Sequence, residues 1–164
     1  MTATSSGSSS RAPSSTRSLP ASSVLLDTNA LFLPVHSRFP LEAEVDRLCP
    51  GAKLAVPSSA LEELERLVAR GVPGAPAAWR FALRYPVVPV EGRGDAALLR
   101  SAIRHRVSVV TADRALAARL QRAGLSVLVP RDRHRLELRP ARPPSVRAPR
   151  VLAARRPVGR RQRL

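Results

Sequence analysis

The sequence has only one cysteine, and its histidines are few and scattered. Cys49 has no partner within the chain, so an intrachain disulfide is excluded and a reducing compartment is the simpler expectation. The three histidines, His36, His105 and His134, lie far apart and match no zinc-binding spacing. The sequence therefore gives no sign of a disulfide or of a zinc site.

Long apolar runs and glycine-rich phosphate loops are also missing. No apolar run approaches the roughly 18 residues that a membrane-spanning helix needs. The serine-rich N-terminus lacks the apolar core of a secretion signal, so export is not expected. We expect a cytoplasmic protein with no membrane partner. Without a glycine-rich phosphate loop, an NTPase is not expected either.

Acidic residues are scarce relative to basic ones. The chain has 28 Lys and Arg against 12 Asp and Glu, which gives a formal net charge of +16. All 12 acids lie between residues 22 and 138 beside 17 basic residues, and the other 11 arginines lie in the two tails. Each cation that meets a phosphate releases condensed counterions. Charge concentrated in this way favours a nucleic acid partner over a merely soluble, arginine-rich surface.

Composition divides the chain into three segments. Residues 1–22 carry nine serines and almost no large apolar side chains, so they cannot offset their ordering entropy and are predicted to be disordered. Residues 139–164 carry nine arginines, five prolines and no acid, which predicts a disordered basic arm that could clamp nucleic acid. The segment between them, residues 23–138, is long enough for a single hydrophobic core.

Apolar runs and helical patterns alternate along this central segment. Strands are predicted over residues 23–26, 53–56, 87–90, 107–110 and 125–129. Helical patterns separate them, with Pro34 left either as an early interruption of the first helix or as part of a turn. Ser59 and Glu62 match a capping box, which would leave Glu63 free for other work. The alternation predicts an α/β fold with right-handed crossovers and a mostly parallel sheet covered on both faces.

Four acids follow or open an element near the end of a predicted strand: Asp27, Glu63, Asp95 and Asp113. Taken singly, each aspartate could be a helix N-cap and the glutamate a solvated charge. Taken together, they would gather at one edge of a parallel sheet and repel one another. Mg²⁺ or Mn²⁺ would relieve the repulsion, and two such ions about 4 Å apart can drive a phosphoryl displacement. Thr111, Thr28 and Asn29 could orient the acids or the attacking water.

The four acids stand in segments that resemble the successive motifs of the PIN domain family. The segments are residues 24–29 (VLLDTN), 60–64 (ALEEL), 94–98 (GDAAL) and 110–116 (VTADRAL), and the resemblance covers roughly residues 23–130. It implies a Rossmann-like three-layer α/β/α sandwich around a central, mostly parallel sheet. It also implies metal-dependent endoribonuclease activity with water as the nucleophile. By this match Asp27, Glu63, Asp95 and Asp113 would be the metal-binding acids, with Thr111 beside them and Asn29 in support.

Within the family, the first two motifs look most like the archaeal and eukaryotic branch related to rRNA-processing nucleases. Two positions depart from the usual pattern. Ala96 stands where many members carry a second acid, and Ala112 replaces a frequent Asn. The first departure leaves open whether one metal ion or two operate.

The function that follows is cleavage of RNA, with rRNA or a pre-ribosome as the candidate target. Arginines would meet the phosphates: Arg93, Arg114, Arg155, Arg156, Arg160 and Arg161. Two alternatives stay open, namely a toxin-type ribonuclease with an antitoxin-like partner and a non-catalytic RNA-binding or ribosome-assembly factor. A homodimer also stays open.

Overall fold

The computed structural model of this protein describes residues 19, 20 and 22–142. The division of the chain into a folded segment and two disordered tails stays a prediction, because most of both tails lies outside these residues. No helix in the described part of the chain is long and apolar enough to cross a membrane.

Six strands and six helices make up the described chain. In sequence order they are β1 (Ser23–Leu26), α1 (Thr28–Ser37), α2 (Leu41–Leu48), β2 (Lys53–Pro57), α3 (Ser58–Ala69), α4 (Ala75–Ala82), β3 (Val87–Val88), α5 (Gly94–His105), β4 (Ser108–Val110), α6 (Arg114–Arg122), β5 (Val127–Pro130) and β6 (Leu136–Arg139).

The strands form one sheet in the order β3-β2-β1-β4-β5-β6. All neighbouring strands are parallel except β5 and β6, which are antiparallel. The chain order reverses at β1, which pairs with β2 on one side and β4 on the other. In open sheets of this kind the carboxyl ends of the strands on either side of such a reversal form a crevice. That crevice lies where β1 and β4 end.

Helices cover both faces of the sheet. One hydrophobic cluster joins Val24 and Leu26 of β1 to helices α1, α2, α3 and α4, and a second joins Leu25 to helices α5 and α6. Because successive side chains of a strand point to opposite faces, this short apolar strand supplies both cores. The predicted three-layer α/β/α sandwich with a mostly parallel sheet is therefore confirmed.

The structure decides the role of Pro34 and corrects the predicted start of α3. Helix α1 continues through Pro34 to Ser37, so the proline neither stops the helix nor forms a turn. The capping box predicted at Ser59 and Glu62 is wrong, because α3 begins at Ser58 after Pro57 and its first turn has no side-chain cap. Instead, the N–H of Val90 donates to Ser58 Oγ at 3.0 Å, which joins the start of α3 to the chain after β3.

The sequence prediction missed the final strand, β6. Its residues read Leu-Glu-Leu-Arg, with Leu136 buried and Leu138 39% exposed. An apolar residue at every second position is the signal of a half-buried strand, and it could have found this one. The domain boundary predicted at residue 138 falls one residue before this strand ends. Beyond it, the N–H of Arg142 still donates to the Gln121 carbonyl of α6 at 3.0 Å.

A buried glutamate holds β6 against α2. Glu44 is 6% exposed and accepts hydrogen bonds from Arg47 Nη2 at 2.6 Å and from the N–H of Leu136 at 2.8 Å. Arg135 Nη1 lies 3.7 Å from the same carboxylate. The Arg47 guanidinium, assisted by the Leu136 N–H, lowers the pKa of Glu44 from its ordinary value of 4.5 to about 2. The ionised carboxylate therefore stabilises the fold.

Replacing this carboxylate should lower the stability of the fold and reduce the loss of stability at acidic pH. Glu44→Gln is expected to lower the free energy of unfolding at neutral pH by about 1.5–3 kcal/mol, the range for hydrogen bonds to charged groups. Because the folded pKa is lowered, the wild-type contribution is present above pH 4.5 and is lost as the pH falls towards 2. Urea unfolding followed from pH 7 to pH 2 checks both effects.

The control is Glu42→Gln. Glu42 lies on the same helix as Glu44 and is a half-exposed partner of Arg84. The substitution should change the free energy of unfolding by no more than about 1 kcal/mol. Equal losses for the two variants would show that Glu44 does not anchor β6.

Candidate active site

Asp27 lies at the crevice between β1 and β4. Its N–H donates to the Val110 carbonyl of β4 at 3.1 Å, so the residue is fixed where β1 ends. Its side chain caps α1 by accepting from the N–H of Thr28 at 2.8 Å. The residue is only 7% exposed, which is unusual for an aspartate that has no basic partner among the described residues.

Thr111 connects Asp27 to the loop that carries Asp113. The fully buried Thr111 hydroxyl donates to Asp27 Oδ2 at 2.7 Å and accepts from the N–H of Asp113 at 3.0 Å. Asp113 Oδ1 in turn accepts from the N–H groups of Ala115 and Leu116 and so caps α6. Both of these bonds use one oxygen, so the cap leaves the second carboxylate oxygen of Asp113 available.

Thr28 connects Asp27 to a second acid, Glu63 of α3. While the Thr28 N–H donates to Asp27, its hydroxyl donates to Glu63 Oε2 at 2.7 Å. Thr28 is itself buried, and Glu63 is half-buried. One residue in the first turn of α1 therefore orients two carboxylates. The adjacent Glu62, predicted to fold back on the helix cap, instead lies with its Oε2 4.0 Å from Arg93 Nε.

The charges of Glu63 and Asp95 both act on Asp27. Burial raises the pKa of Asp27 from its ordinary value of 3.8 to about 6, and the two neighbouring carboxylates add to this rise. The hydrogen bonds from Thr111 and Thr28 oppose the shift. No Lys or Arg in the described chain forms an ion pair with Asp27 or Glu63. Within the described residues, the negative charge of Asp27 and Glu63 is thus not balanced by an ion pair.

The four predicted acids are placed unequally around this crevice. Glu63 and Asp95 act on Asp27 through their charges, whereas Asp113 is joined to Asp27 through the Thr111 hydroxyl. Asp95, in the first turn of α5, lies with its Oδ2 3.7 Å from Arg119 Nη1. Over the described ranges, no three His, Cys, Asp or Glu side chains come close enough together to hold one metal ion. The metal-binding roles therefore stay predictions.

The supporting and basic residues are also at this edge of the sheet. Asn29 is exposed in the first turn of α1, Arg93 is exposed just before α5, and Arg114 is the exposed first residue of α6. The predicted RNA contacts at Arg155, Arg156, Arg160 and Arg161 lie outside the described residues.

A basic turn beside the crevice went unnoticed in the sequence. Residues 131–135, which read Arg-Asp-Arg-His-Arg, join β5 to β6 and are all exposed. Because β5 runs parallel to β4, the turn lies at the same edge as Thr111 and Asp113. The Arg131 N–H donates to the Arg135 carbonyl at 2.9 Å, which closes the turn. The signal that could have found it was the basic run directly after a strand end.

Removing the buried charge should stabilise the protein in EDTA. Because the pKa of Asp27 is higher in the folded protein, its contribution to the free energy of unfolding is favourable below pH 3.8 and is lost as the pH rises through 6. Asp27→Asn should therefore raise the free energy of unfolding at pH 8 by about 1–3 kcal/mol and remove this part of the pH dependence. Urea unfolding from pH 4 to pH 8 measures it.

Asp46→Asn is the control. Because Asp46 is exposed, this substitution should leave the pH dependence of the free energy of unfolding as it is in the wild type. A loss of stability for Asp27→Asn at pH 8 would contradict the explanation.

Comparisons with known proteins agree with this architecture. A solved structure of the PIN domain endonuclease Utp24 superposes with a TM-score of 0.60 and 22% identity, covering 70% of this chain and 90% of that one. A domain of a functionally unknown protein from Methanocaldococcus jannaschii DSM 2661 superposes with a TM-score of 0.51 and 16% identity, covering 67% of this chain and 91% of that one. No curated protein matches the chain.

A family model described as a PIN like domain matches residues 24–133, which is well over half of the chain. The match includes both strands that form the crevice and all four of the acids near it. It confirms the family predicted from the four motifs. The protein belongs to the PIN-like domain family.

Proposed function

We propose that the protein is a metal-dependent endoribonuclease that hydrolyses RNA phosphodiester bonds. The observation that carries the proposal is Asp27, a buried carboxylate at the sheet crevice that has two acidic neighbours and no cationic partner among the described residues. A protein that needed only stability would not retain such a charge, since an amide or apolar residue there would cost less. The solved structure of Utp24, itself a PIN domain endonuclease, adds support through its similar fold.

The donors at the crevice fit a hard divalent cation. Carboxylate oxygens are the ligands that Mg²⁺ and Mn²⁺ prefer, and unbalanced negative charge attracts such an ion. Asp27, Glu63, Asp95 and Asp113 would hold it once side-chain rotations bring their carboxylates together, which includes release of Asp95 from Arg119. When bound, the ion supplies an activated water and stabilisation of the leaving oxygen.

The threonines keep the acids ready for this role. Thr111 and Thr28 donate hydrogen bonds that favour the ionised form of Asp27 and fix its orientation. The Thr28 hydroxyl also fixes the orientation of the Glu63 carboxylate. Partners of this kind, which act through the ligands, usually affect metal affinity or activity by about 10- to 100-fold.

RNA cleavage should depend on the divalent ion and on Asp27. After treatment with EDTA, the wild type should cut labelled single-stranded RNA only when Mg²⁺ or Mn²⁺ is restored. Asp27→Asn should lower the rate by about a hundredfold or more, because charge stabilisation in the transition state is removed. Thr111→Val should lower it by about 10- to 100-fold.

Glu65→Gln is the matched control, because Glu65 is exposed on the same helix as Glu63 and should leave the rate unchanged. Failure of the wild type to cut several RNAs with either ion would refute the proposal. RNA affinity retained without any cleavage would instead support the non-catalytic RNA-binding factor.

The substrate strand would be held by arginines on the two sides of the crevice. Arg93 and Arg114 lie at the starts of α5 and α6, and Arg131 and Arg133 lie on the turn after β5. Cations that flank an acidic centre can bind phosphates while the acids themselves bind metal. Single-stranded RNA can follow such a path without base pairing.

If the basic turn binds phosphates, it should contribute to the salt dependence of RNA binding. Arg131→Ala/Arg133→Ala should weaken binding to single-stranded RNA, because fewer phosphates are neutralised. The slope of log K against log salt should fall by about 0.7 for each phosphate that the variant no longer neutralises. Fluorescence anisotropy at several salt concentrations measures both the affinity and the slope.

The control is Arg104→Ala/Arg122→Ala, which removes the same charge from the last turns of α5 and α6, at the opposite edge of the sheet. Equal changes in slope for the two double variants would mean that only net charge matters.

The proposal extends to the biological role of the cleavage. We favour RNA processing, with rRNA or a pre-ribosome as the target, because the first two motifs resemble that branch of the family. A toxin-type ribonuclease would instead be toxic on expression and be relieved by a protein from a neighbouring reading frame. A homodimer and a cytoplasmic location stay predictions.

A further inference from the structure

A cavity runs along α1 directly beside the acidic crevice. Residues 29, 32, 33, 36 and 37 recur at helical spacing, so they share one face of α1, and this face forms one wall. The opposite wall includes Val72 and Pro73 of the α3–α4 connection, and Asp113 lies at the rim. The cavity volume is about 560 Å³. This volume falls within the range of sites that bind small organic groups, roughly 300–1,000 Å³.

Two neighbouring rings, tilted relative to one another, form an aromatic surface in this cavity. The Phe32 and His36 rings have centroids 5.1 Å apart and planes inclined by 33°. Gly74 supports the imidazole from behind, because a Cβ at that position would lie 3.0 Å from His36 Nε2. The absence of a side chain at position 74 therefore lets the backbone pack against the ring. Phe32 is half-buried and His36 is exposed, so the surface is both held in place and accessible.

The cavity is continuous with the acidic crevice. Asn29 lines it only two residues after Asp27, and Asp113 lines it while its N–H reaches Asp27 through the Thr111 hydroxyl. A phosphodiester group at the acids would therefore place a neighbouring nucleotide at the mouth of the cavity. Asn29 and Asp113 are the polar residues at that end, His36 and Ser37 lie further along α1, and apolar side chains such as Leu67 complete the lining.

We propose that this cavity binds one unpaired nucleobase of the RNA strand, next to the phosphate at the acids. The inference rests on the proposed function, because the acids fix the position of that phosphate. The base stacks on Phe32 and His36, and the exposed Asn29 amide offers hydrogen bonds to its edge. Every base has a π-face, so stacking itself tolerates any sequence, whereas the hydrogen bonds can discriminate.

Fluorescent base scanning tests the cavity without requiring cleavage. The full-length protein is mixed by stopped flow, in Mg²⁺, with a short single-stranded RNA in which 2-aminopurine replaces one base at a time, and the fluorescence is read before cleavage proceeds. Stacking quenches this fluorophore, so we expect quenching at one position of the bound strand. Phe32→Leu/His36→Leu should remove that quenching and weaken RNA binding by roughly five- to a hundredfold, the effect of losing one stacked base.

Phe81→Leu/His105→Leu is the matched control, since it makes the same substitutions away from the cavity. Phe81 packs edge-on against Tyr85, with ring centroids 5.3 Å apart. His36→Leu alone guards against a folding defect, because His36 is exposed, and it should by itself reduce the quenching. Thermal melting of each variant checks that it remains folded.

The outcomes separate this inference from the proposed function. Quenching that is equal at all positions, or unchanged in Phe32→Leu/His36→Leu, overturns the base-binding cavity. Metal-dependent cleavage that needs Asp27 can still occur in that case, and the proposed function then stands alone. Conversely, position-specific quenching that needs Phe32 and His36, in a protein that cleaves no RNA, supports the cavity and refutes the nuclease.

Discussion

The contact between Asp27 and β4 is the constraint on which the functional edge of this protein depends. A backbone hydrogen bond to Val110 and a side-chain hydrogen bond from Thr111 fix the aspartate where the two central strands end. Burying a carboxylate is unfavourable unless it is well compensated, and here the compensation is incomplete because two other acids lie nearby. The apolar packing of both sheet faces holds the strands in register and so maintains this unfavourable charge. Such a charge marks a functional site more strongly than any single motif does.

Charge is distributed around the crevice in a way that suits a phosphodiester substrate. The centre is acidic, while arginines occupy its flanks at the starts of α5 and α6 and on the turn after β5. An apolar cavity with an aromatic wall lies alongside, on the first helix after Asp27. A metal ion, a phosphate and a base have different chemical requirements, and the proposed sites for them occupy three adjacent regions of one sheet edge. The same strand order that creates the crevice also brings these regions together.

Prediction from the sequence succeeded where the signal was local. Short β-branched runs identified four strands close to their final bounds, and β1 matched residue for residue. It failed where an element depends on a distant partner. Ser59 and Glu62 fit a capping box, but Ser58 instead bonds to Val90 and α3 starts earlier. Strand β6 was missed because its short alternating pattern gains stability only from pairing with β5 and from the buried Glu44.

The sequence by itself determined the class of fold, the excess of positive charge and the four motifs that carry the acids. These properties follow from composition and from hydrophobic periodicity, which depend on neighbours along the chain. Only the tertiary structure decided that Asp27 lies near Glu63 and Asp95, while Asp113 caps α6 and joins them through Thr111. It also decided that α1 and the α3–α4 connection form the walls of an open cavity there. Such distances are set by strand order and helix packing between segments far apart in sequence, and no local pattern encodes them.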